Sequence, residues 1–302
     1  MVIPVRDAVA TLGRTLDALS RQSLPPREVL VVDDRSSDGS AELAAAHPAV
    51  TRVLRLSGDS ARGPGAARNL GASVASGEVL AFTDADCVPS AGWLEACVAA
   101  LDALDLVQGA VEPLGPVGPF DRTVRVGAPR GLFQTANLLV RAPAFRSLGG
   151  FEPWLMPRDG KELGEDVWLG WRAVRAGVRV GFAADAVVAH AVFPRGARDA
   201  AREQRRLQHF PEIVARIPEL RSVLCWRRAF LSSRTAAFDG ASAGVAAALV
   251  ARRPALALAA LPYAALLARE RSPRVAAGRA AADAVGAAAL ARGSVAARTL
   301  LL

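Results

Sequence analysis

Cysteine is scarce in this chain of 302 residues, and the three present, Cys87, Cys97 and Cys225, are odd in number and not spaced as metal ligands. That excludes a disulfide framework and a zinc site as organising features. Lysine is scarcer still: Lys161 is the only one, so the basic charge rests on arginine. An alanine- and arginine-rich genome produces the same bias, and a basic balance alone names no partner. The motif Gly-x-Gly-x-x-Gly is missing after the first strand pattern, which weighs against an NAD-binding domain. No basic-then-apolar leader precedes that strand. The apolar stretches 235–251 and 254–268 each fall short of the roughly 20 residues a spanning helix needs.

What is present is apolar and unevenly charged. Hydrophobic residues make up 52% of the chain and the mean hydropathy is +0.24, above an ordinary soluble enzyme. The length allows one large domain plus an appendage. Residues 1–189 carry 19 basic and 22 acidic side chains, a net of −3, whereas residues 190–302 carry 18 and 7, a net of +11. A mildly acidic body is thus joined to a basic, apolar tail. Nucleic acid is a poor match for that tail, because its arginines alternate with Ala and Leu and few aromatics are there to stack on bases. An anionic membrane surface fits better.

The chain is organised around Gly77-Glu78-Val79-Leu80-Ala81-Phe82-Thr83-Asp84-Ala85-Asp86-Cys87-Val88-Pro89. Residues 79–83 suit a buried strand. Asp84 and Asp86 then emerge at its C-terminal edge, where open α/β sheets bind ligands. Alternate side chains of a strand share a face, so the two aspartates are expected to point the same way. Two hard oxygen donors side by side suit Mg²⁺ or Mn²⁺. A plain Asp-rich turn accounts for the same residues.

Around that stretch the pattern alternates strand and helix. Val2-Ile3-Pro4-Val5 reads as a first strand, and Val9, Leu12, Leu16 and Leu19 recur at helical spacing. Residues 28–32 form a second strand ending in Asp33-Asp34-Arg35-Ser36-Ser37-Asp38-Gly39-Ser40, a loop that leads into a helix capped by Ser or Asp. Gly63-Pro64-Gly65-Ala66-Ala67-Arg68-Asn69-Leu70-Gly71 opens another helix after the apolar run 53–56. Its small residues serve either close packing or the approach of an anion to backbone amides. A helix bearing Trp93, Leu94, Cys97, Val98 and Leu101 on one side follows. Four such units within about 105 residues predict a doubly wound sheet.

Residues 107–111 read as a further strand, 113–129 as a loop crossing the sheet, and 134–141 as strand again. A short helix ends at Leu148-Gly149-Gly150-Phe151, and 152–164 reads as a mobile segment. Glu165-Asp166 opens a helix with Val167, Trp171 and Val174 on one face. Carboxylates in a first helical turn also have an ordinary use, offsetting the helix dipole. Two strands, 178–183 and 186–192, close the body, and the second carries His190.

Taken together, Val2-Ile3-Pro4, Val31-Val32-Asp33-Asp34-x-Ser36-x-Asp38-Gly39, Ala67-Arg68-Asn69-x-Gly71, Asp84-x-Asp86, Gly149-Gly150-Phe151 and Glu165-Asp166 resemble the family 2 glycosyltransferases. These are inverting enzymes with the GT-A fold, and the likeness covers roughly 2–192. It implies an α/β, doubly wound mixed sheet with a C-terminal helical, apolar and basic extension. Pro4, Asp33 and Asp34 are then expected to hold the nucleobase and ribose of a nucleotide-sugar, with Arg68 near the same nucleotide. Asp84 and Asp86 hold the Mg²⁺ or Mn²⁺ that bridges the diphosphate, Asp86 foremost. Asp166 is the catalytic base and Glu165 its neighbour in the acceptor site. His190 matches a position that supplies a further metal ligand in some GT-A enzymes, although a histidine at a strand end also has a structural use. The segment 152–164 is expected to close over the donor and exclude water.

Three departures qualify the likeness. Only Met1 and Val2 precede Ile3-Pro4, where the family has several residues, so the strand is shortened or the start lies upstream, with consequences for a sheet edge. Thr135-Ala136-Asn137 stands where Gly-Ala-Asn is common. Cys225-Trp226-Arg227-Arg228 is not the Gln-x-x-Arg-Trp motif of processive synthases, so one sugar per turnover is expected.

The organisation expected is a GT-A domain at 1–192, a basic helical connector at 193–234, and an apolar helical membrane-associated tail at 235–302. That tail forms a helical hairpin or lies partly inserted, with Arg252, Arg253, Arg269 and Arg271 snorkelling to headgroups. A soluble helical cap or a dimer interface is the other reading. The function expected is metal-dependent transfer of one sugar to a hydroxyl on a lipid-linked or envelope glycan, at the cytoplasmic face of the cell membrane or, alternatively, in the cytoplasm. A polyprenyl-phosphate glycosyltransferase, a non-catalytic membrane-bound scaffold and a nucleotidyltransferase are the competing readings.

Overall fold

Residues 1–57, 63–157 and 162–302 are described by the computed structural model, which divides the chain into two units. The first comprises Met1–Val117 and Thr123–Val192, the second Gly118–Arg122 and Phe193–Leu302. In chain order the first unit runs β1 (Val2–Val5), α1 (Val9–Ser20), β2 (Leu30–Asp33), α2 (Ser40–Ala46), β3 (Arg52–Arg55), α3 (Pro64–Val74), β4 (Val79–Phe82), β5 (Cys87–Pro89), α4 (Trp93–Ala100) and β6 (Leu106–Pro113). A 3₁₀ turn (Thr135–Asn137), β7 (Leu138–Arg141), α5 (Ala142–Ser147), α6 (Glu165–Arg175) and β8 (Val180–His190) complete it.

Among the described residues these strands form one mixed sheet in the order β3-β2-β1-β4-β7-β6-β8-β5. β3, β2, β1 and β4 are parallel; β7 is antiparallel to both β4 and β6; β8 runs parallel to β6 and antiparallel to β5. The near-continuous apolar runs of β1, β2, β4 and β7 suit strands covered on both faces. The strand order reverses between β1 and β4, the switch point at which open sheets leave a crevice beyond the strand ends. β1 is an inner strand, so its short start makes no sheet edge.

Several boundaries differ from the sequence reading, each for a physical reason. β4 ends at Phe82, and Asp84 to Asp86 lie in a turn closed by the Cys87 N–H on the Asp84 carbonyl at 3.1 Å. Strand alternation therefore does not govern the two aspartates. Gly39, at φ +89°, caps α2 in place of a Ser or Asp side chain; Asp38 instead accepts the Ser40 N–H at 3.0 Å. The two strands expected at 178–192 are the single β8, interrupted by a bulge: Gly109 and Ala110 of β6 pair with Ala183 and Val187. Residues 134–137 form the 3₁₀ turn and its approach rather than strand. Val9, Val98 and Val174, read as core-facing, stand at the surface, while Leu12, Leu16, Leu19, Trp93, Cys97, Val167 and Trp171 are buried.

The second unit is helical: α7 (Ala197–Glu203), a 3₁₀ segment (Gln204–His209), α8 (Phe210–Arg216), α9 (Leu220–Val223), α10 (Ser233–Ala251), a second 3₁₀ segment (Pro254–Ala260), α11 (Leu261–Ala268) and α12 (Pro273–Ala296). Its core gathers Ile213, Val214, Ile217, Leu220 and Leu290. α12 approaches the first 3₁₀ segment so closely at Gly293 that a Cβ would meet the Gln208 carbonyl oxygen. No helix among the described residues is long and apolar enough to cross a membrane.

Candidate active site

The site assembles around the first turn of α3, which packs on β1 and β2. Gly63 and Pro64 start that helix, leaving amides without intrahelical partners. Carboxylates from two distant parts of the chain take them. The Gly63 N–H donates to Asp34 Oδ2 at 3.0 Å, and the Gly65 N–H donates to Glu162 Oε2 at 3.0 Å. A Cβ on Gly65 would lie 2.8 Å from Glu162 Oε2, so this contact needs glycine. Glu162 is buried, and its Oε1 has no hydrogen-bond partner among the described residues. Burial, and then the charge of Glu165, push its pKa up to about 7.

One turn on, Arg68 is 3% exposed and joins two carboxylates: Nη2 to Asp84 Oδ1 at 2.7 Å and Nη1 to Glu165 Oε1 at 3.2 Å. Its guanidinium also lies 5.6 Å from the centre of the Phe151 ring. Burial opposes its charge, but Asp84 and Glu165 outweigh that and hold its pKa above the ordinary value. Asn69 pins the same aromatic: its Nδ2 donates to the Phe151 carbonyl at 2.7 Å, and its Oδ1 accepts the Phe151 N–H at 2.8 Å. Three residues of the motif Ala67-Arg68-Asn69-x-Gly71 thus have structural work. Gly71 is the third, since a Cβ there would stand 2.4 Å from Val2 Cγ1.

Glu165 and Asp166 open α6 behind Gly164, which takes φ +79°. Glu165 is buried and Asp166 partly accessible. Desolvation, then the neighbouring Glu165 charge, raise the Asp166 pKa well above the usual carboxylate range, against the pull of Arg68. A carboxylate in that state is a stronger base than one in water.

A second group forms at the turn after β4. His190 pairs with Cys87 across β8 and β5, which brings its Nε2 to 3.6 Å from Asp86 Oδ2. The His190 Nδ1–H donates to the Ala191 carbonyl at 2.7 Å, so in the neutral ring the Nε2 lone pair faces the carboxylate. A carboxylate oxygen and an imidazole nitrogen at that distance are donor atoms of the kind a divalent cation takes. Donor atoms of Asp86, Cys87 and His190 all lie within 4.8 Å of one another. Burial first, then the charges of Asp84 and Asp86, drive the Cys87 thiol pKa strongly upward, and the carboxylate and imidazole are the harder donors of the group. That pair fits a divalent cation, and the imidazole favours Mn²⁺ over the all-oxygen preference of Mg²⁺.

Of the residues singled out from the sequence, Asp34, Arg68, Asp84, Glu165 and Asp166 meet around α3, and Asp86 meets His190. Asp84 is turned toward Arg68 rather than into the Asp86–His190 pair. Arg68 is engaged by carboxylates on both sides. Asp33 is buried and its Oδ1 accepts the Ser36 N–H at 3.1 Å, while Pro4 stands half-buried opposite Val32. Asn137 is wholly structural: its Nδ2 donates to the Ala110 and Ala186 carbonyls at 2.7 and 2.8 Å, and its Oδ1 accepts the Trp93 indole N–H at 2.8 Å. Glu162 and Cys87 were not anticipated. The expected closure over the donor falls partly on 158–161, Lys161 included, which lie outside the described residues.

Four known families or proteins are similar to this chain. A family model described as "Glycosyl transferase family 2" matches residues 1–140. Glycosyltransferase AglE of Haloferax volcanii is 34% identical over 211 residues, covering 65% of this chain and 67% of that protein. A pre-mycofactocin glycosyltransferase of Mycobacterium tuberculosis is 30% identical over 210 residues, 63% of this chain but 42% of that protein, so the chain spans under half of its length. Among solved structures, a mannosyltransferase from Pyrobaculum calidifontis, determined with GDP-Man and Mn²⁺, superposes with a TM-score of 0.67 over 95% of this chain and 84% of that one. At 23% identity that likeness is one of fold.

Proposed function

Because the chain belongs to the family 2 glycosyltransferases, we propose that it moves one sugar, with inversion, from a nucleotide-sugar to an acceptor hydroxyl, with Asp166 as the base. The observation that carries this reading is the ion-pair chain Asp84–Arg68–Glu165, which ties the turn after β4 to the first turn of α6. A leaving diphosphate at the one end and an acceptor at the other then sit at opposite ends of a rigid buried link.

Asp33, Asp34 and Pro4, at the ends of β1 and β2, hold the nucleoside. Asp86 and His190 would hold the divalent cation, with Asp84 alongside on the same turn. When bound, that ion neutralises charge on the departing diphosphate as a Lewis acid. The GDP-Man and Mn²⁺ bound to the Pyrobaculum mannosyltransferase support a donor and metal of this kind. Asp166 accepts the proton of the acceptor hydroxyl as its oxygen bonds to the anomeric carbon. The bond from that carbon to the phosphate oxygen breaks in the same step, and its electron pair leaves with the diphosphate. One displacement inverts the centre, so one base suffices. Arg68 neutralises Glu165 and leaves Asp166 as the carboxylate with the raised proton affinity.

The acceptor is a hydroxyl on a lipid-linked or envelope glycan. A second reading, in which the acceptor is a polyprenyl phosphate, is favoured by the exposed apolar residues between 245 and 261. A phosphate oxygen needs little help from a base, so Asp166→Asn separates the two. Under the hydroxyl reading the variant loses about 10²–10⁴-fold in kcat with donor affinity unchanged, and NMR of the wild-type product shows the inverted anomer. Near-native turnover in the variant supports the phosphate acceptor, and a retained anomer overturns the mechanism.

A further inference from the structure

A hairpin in the second unit exposes more apolar surface than its fold explains. From Gly240 to Ala251, α10 carries no charge and one hydroxyl, Ser242; from Pro254 to Ala268 the polar side chain is Tyr263. The two limbs pack on each other through small residues: a Cβ on Gly244 would stand 2.6 Å from Ala259 Cβ. That contact consumes the inner faces only. On the outside Leu249 is 75% exposed, Val250 87%, Leu258 62% and Leu261 60%. A helix that is apolar all round needs a cover. Large apolar side chains exposed together on one hairpin mark an interaction surface.

The base of the hairpin is fixed. Arg234 binds Asp283 through both Nε and Nη2 at 2.7 to 3.0 Å, Tyr263 donates to the same carboxylate at 2.7 Å, and Phe238 meets the Tyr263 ring at 5.2 Å. The exposed residues are therefore presented by a braced element. Arginines bracket its second limb: Arg252 and Arg253 at the turn, Arg269 and Arg271 at the far end, all exposed. Glu270 is the one carboxylate of residues 240–271, and it is engaged by Arg234 at 3.7 Å and Arg279 at 3.6 Å.

We propose that this hairpin docks on an anionic lipid surface and lies flat in it. The limb of 12 uncharged residues reaches roughly 18 Å at 1.5 Å per residue, and the limb of 15, which begins as a 3₁₀ segment, roughly 26 Å, both short of the ~30 Å apolar core of a bilayer. Spanning is thus excluded by length, and end-on insertion would drive Arg252 and Arg253 into hydrocarbon. Lying flat, Leu249, Val250, Leu258 and Leu261 enter the acyl boundary while the arginines at both ends stay among the phosphates. A second copy of the chain fits less well, because a self-complementary patch whose one carboxylate is already engaged offers nothing opposite its own arginines. The inference is independent of the catalytic reading.

Vesicle flotation of the full chain tests it. The wild type floats with vesicles holding 30% phosphatidylglycerol, more weakly with phosphatidylcholine alone, and salt weakens the first. Combined Leu249→Ser, Val250→Ser, Leu258→Ser and Leu261→Ser, at exposed positions, reduce the floated fraction at least about tenfold with an unchanged circular dichroism spectrum. Arg252→Gln with Arg253→Gln removes the preference for the anionic lipid. Wild type that stays with the buffer in every vesicle, or a serine variant that floats as the wild type does, overturns the proposal. So does a lipid-independent dimer in sedimentation that the serine variant abolishes.

Discussion

Arg68 shows how a residue's role exceeds what its motif announces. From the sequence it is a cation near a nucleotide; in the fold it is a buried bridge between Asp84 and Glu165. The carboxylate pairs themselves were legible, because Asp33-Asp34, Asp84-x-Asp86 and Glu165-Asp166 each end an apolar run or start a helix. Glu162 was not, because its burial comes from Gly65, 97 positions away in sequence. Cys87 read as a spare thiol, and only the pairing of β5 with β8 puts it beside His190. Glu162 makes a clean prediction. Its folded pKa is raised from 4.5 to about 7, so its contribution to stability is full below 4.5 and is lost as pH rises through 7. Glu162→Gln escapes that loss. Urea unfolding should find the variant more stable than the wild type at about pH 8, by up to about 3 kcal/mol. The gap should close below about pH 5, and an equal gap at both pH values would contradict the assignment.

Elements were read well where periodicity was long and poorly where the backbone turns. The helical spacing of Leu12, Leu16 and Leu19 and the apolar runs of β1, β2 and β4 needed nothing beyond the sequence. The end of β4 at Phe82 was hidden, since Thr83 continues the strand pattern while a backbone hydrogen bond across Asp84 to Cys87 starts a turn. That turn sends Asp84 to Arg68 and Asp86 to His190 instead of aligning them. The bulge in β8 was equally hidden, and Asn137 shows why the fold tolerates it: its side chain takes two carbonyls at the break, Ala110 and Ala186, and the Trp93 indole. Asn137→Ala leaves three buried polar groups without partners. The expected cost is about 3 kcal/mol or more, measured as a fall in the urea midpoint at constant m-value. A change under about 1 kcal/mol would show that water or a local shift replaces the amide.

At the scale of the molecule, the chain separates charge and chemistry. The first unit gathers its carboxylates at the ends of parallel strands, where the strand order reverses, and the second gathers arginine and exposed apolar surface. The uneven charge was plain from composition, whereas the gathering of exposed Leu and Val on one hairpin was not, because α12 is as rich in alanine and yet packs on its own unit, with Val295 the exposed exception. The catalytic account rests on a nucleotide-sugar and a divalent cation meeting beside α3. Isothermal titration of the purified chain with UDP-, GDP- and dTDP-sugars, in Mn²⁺ and again in chelator, tests that claim most directly. The account predicts saturable binding of one nucleotide class with Mn²⁺, weakened at least about tenfold by chelator or by His190→Ala. Binding of no nucleotide-sugar, or binding that ignores both chelator and the His190 substitution, would contradict it.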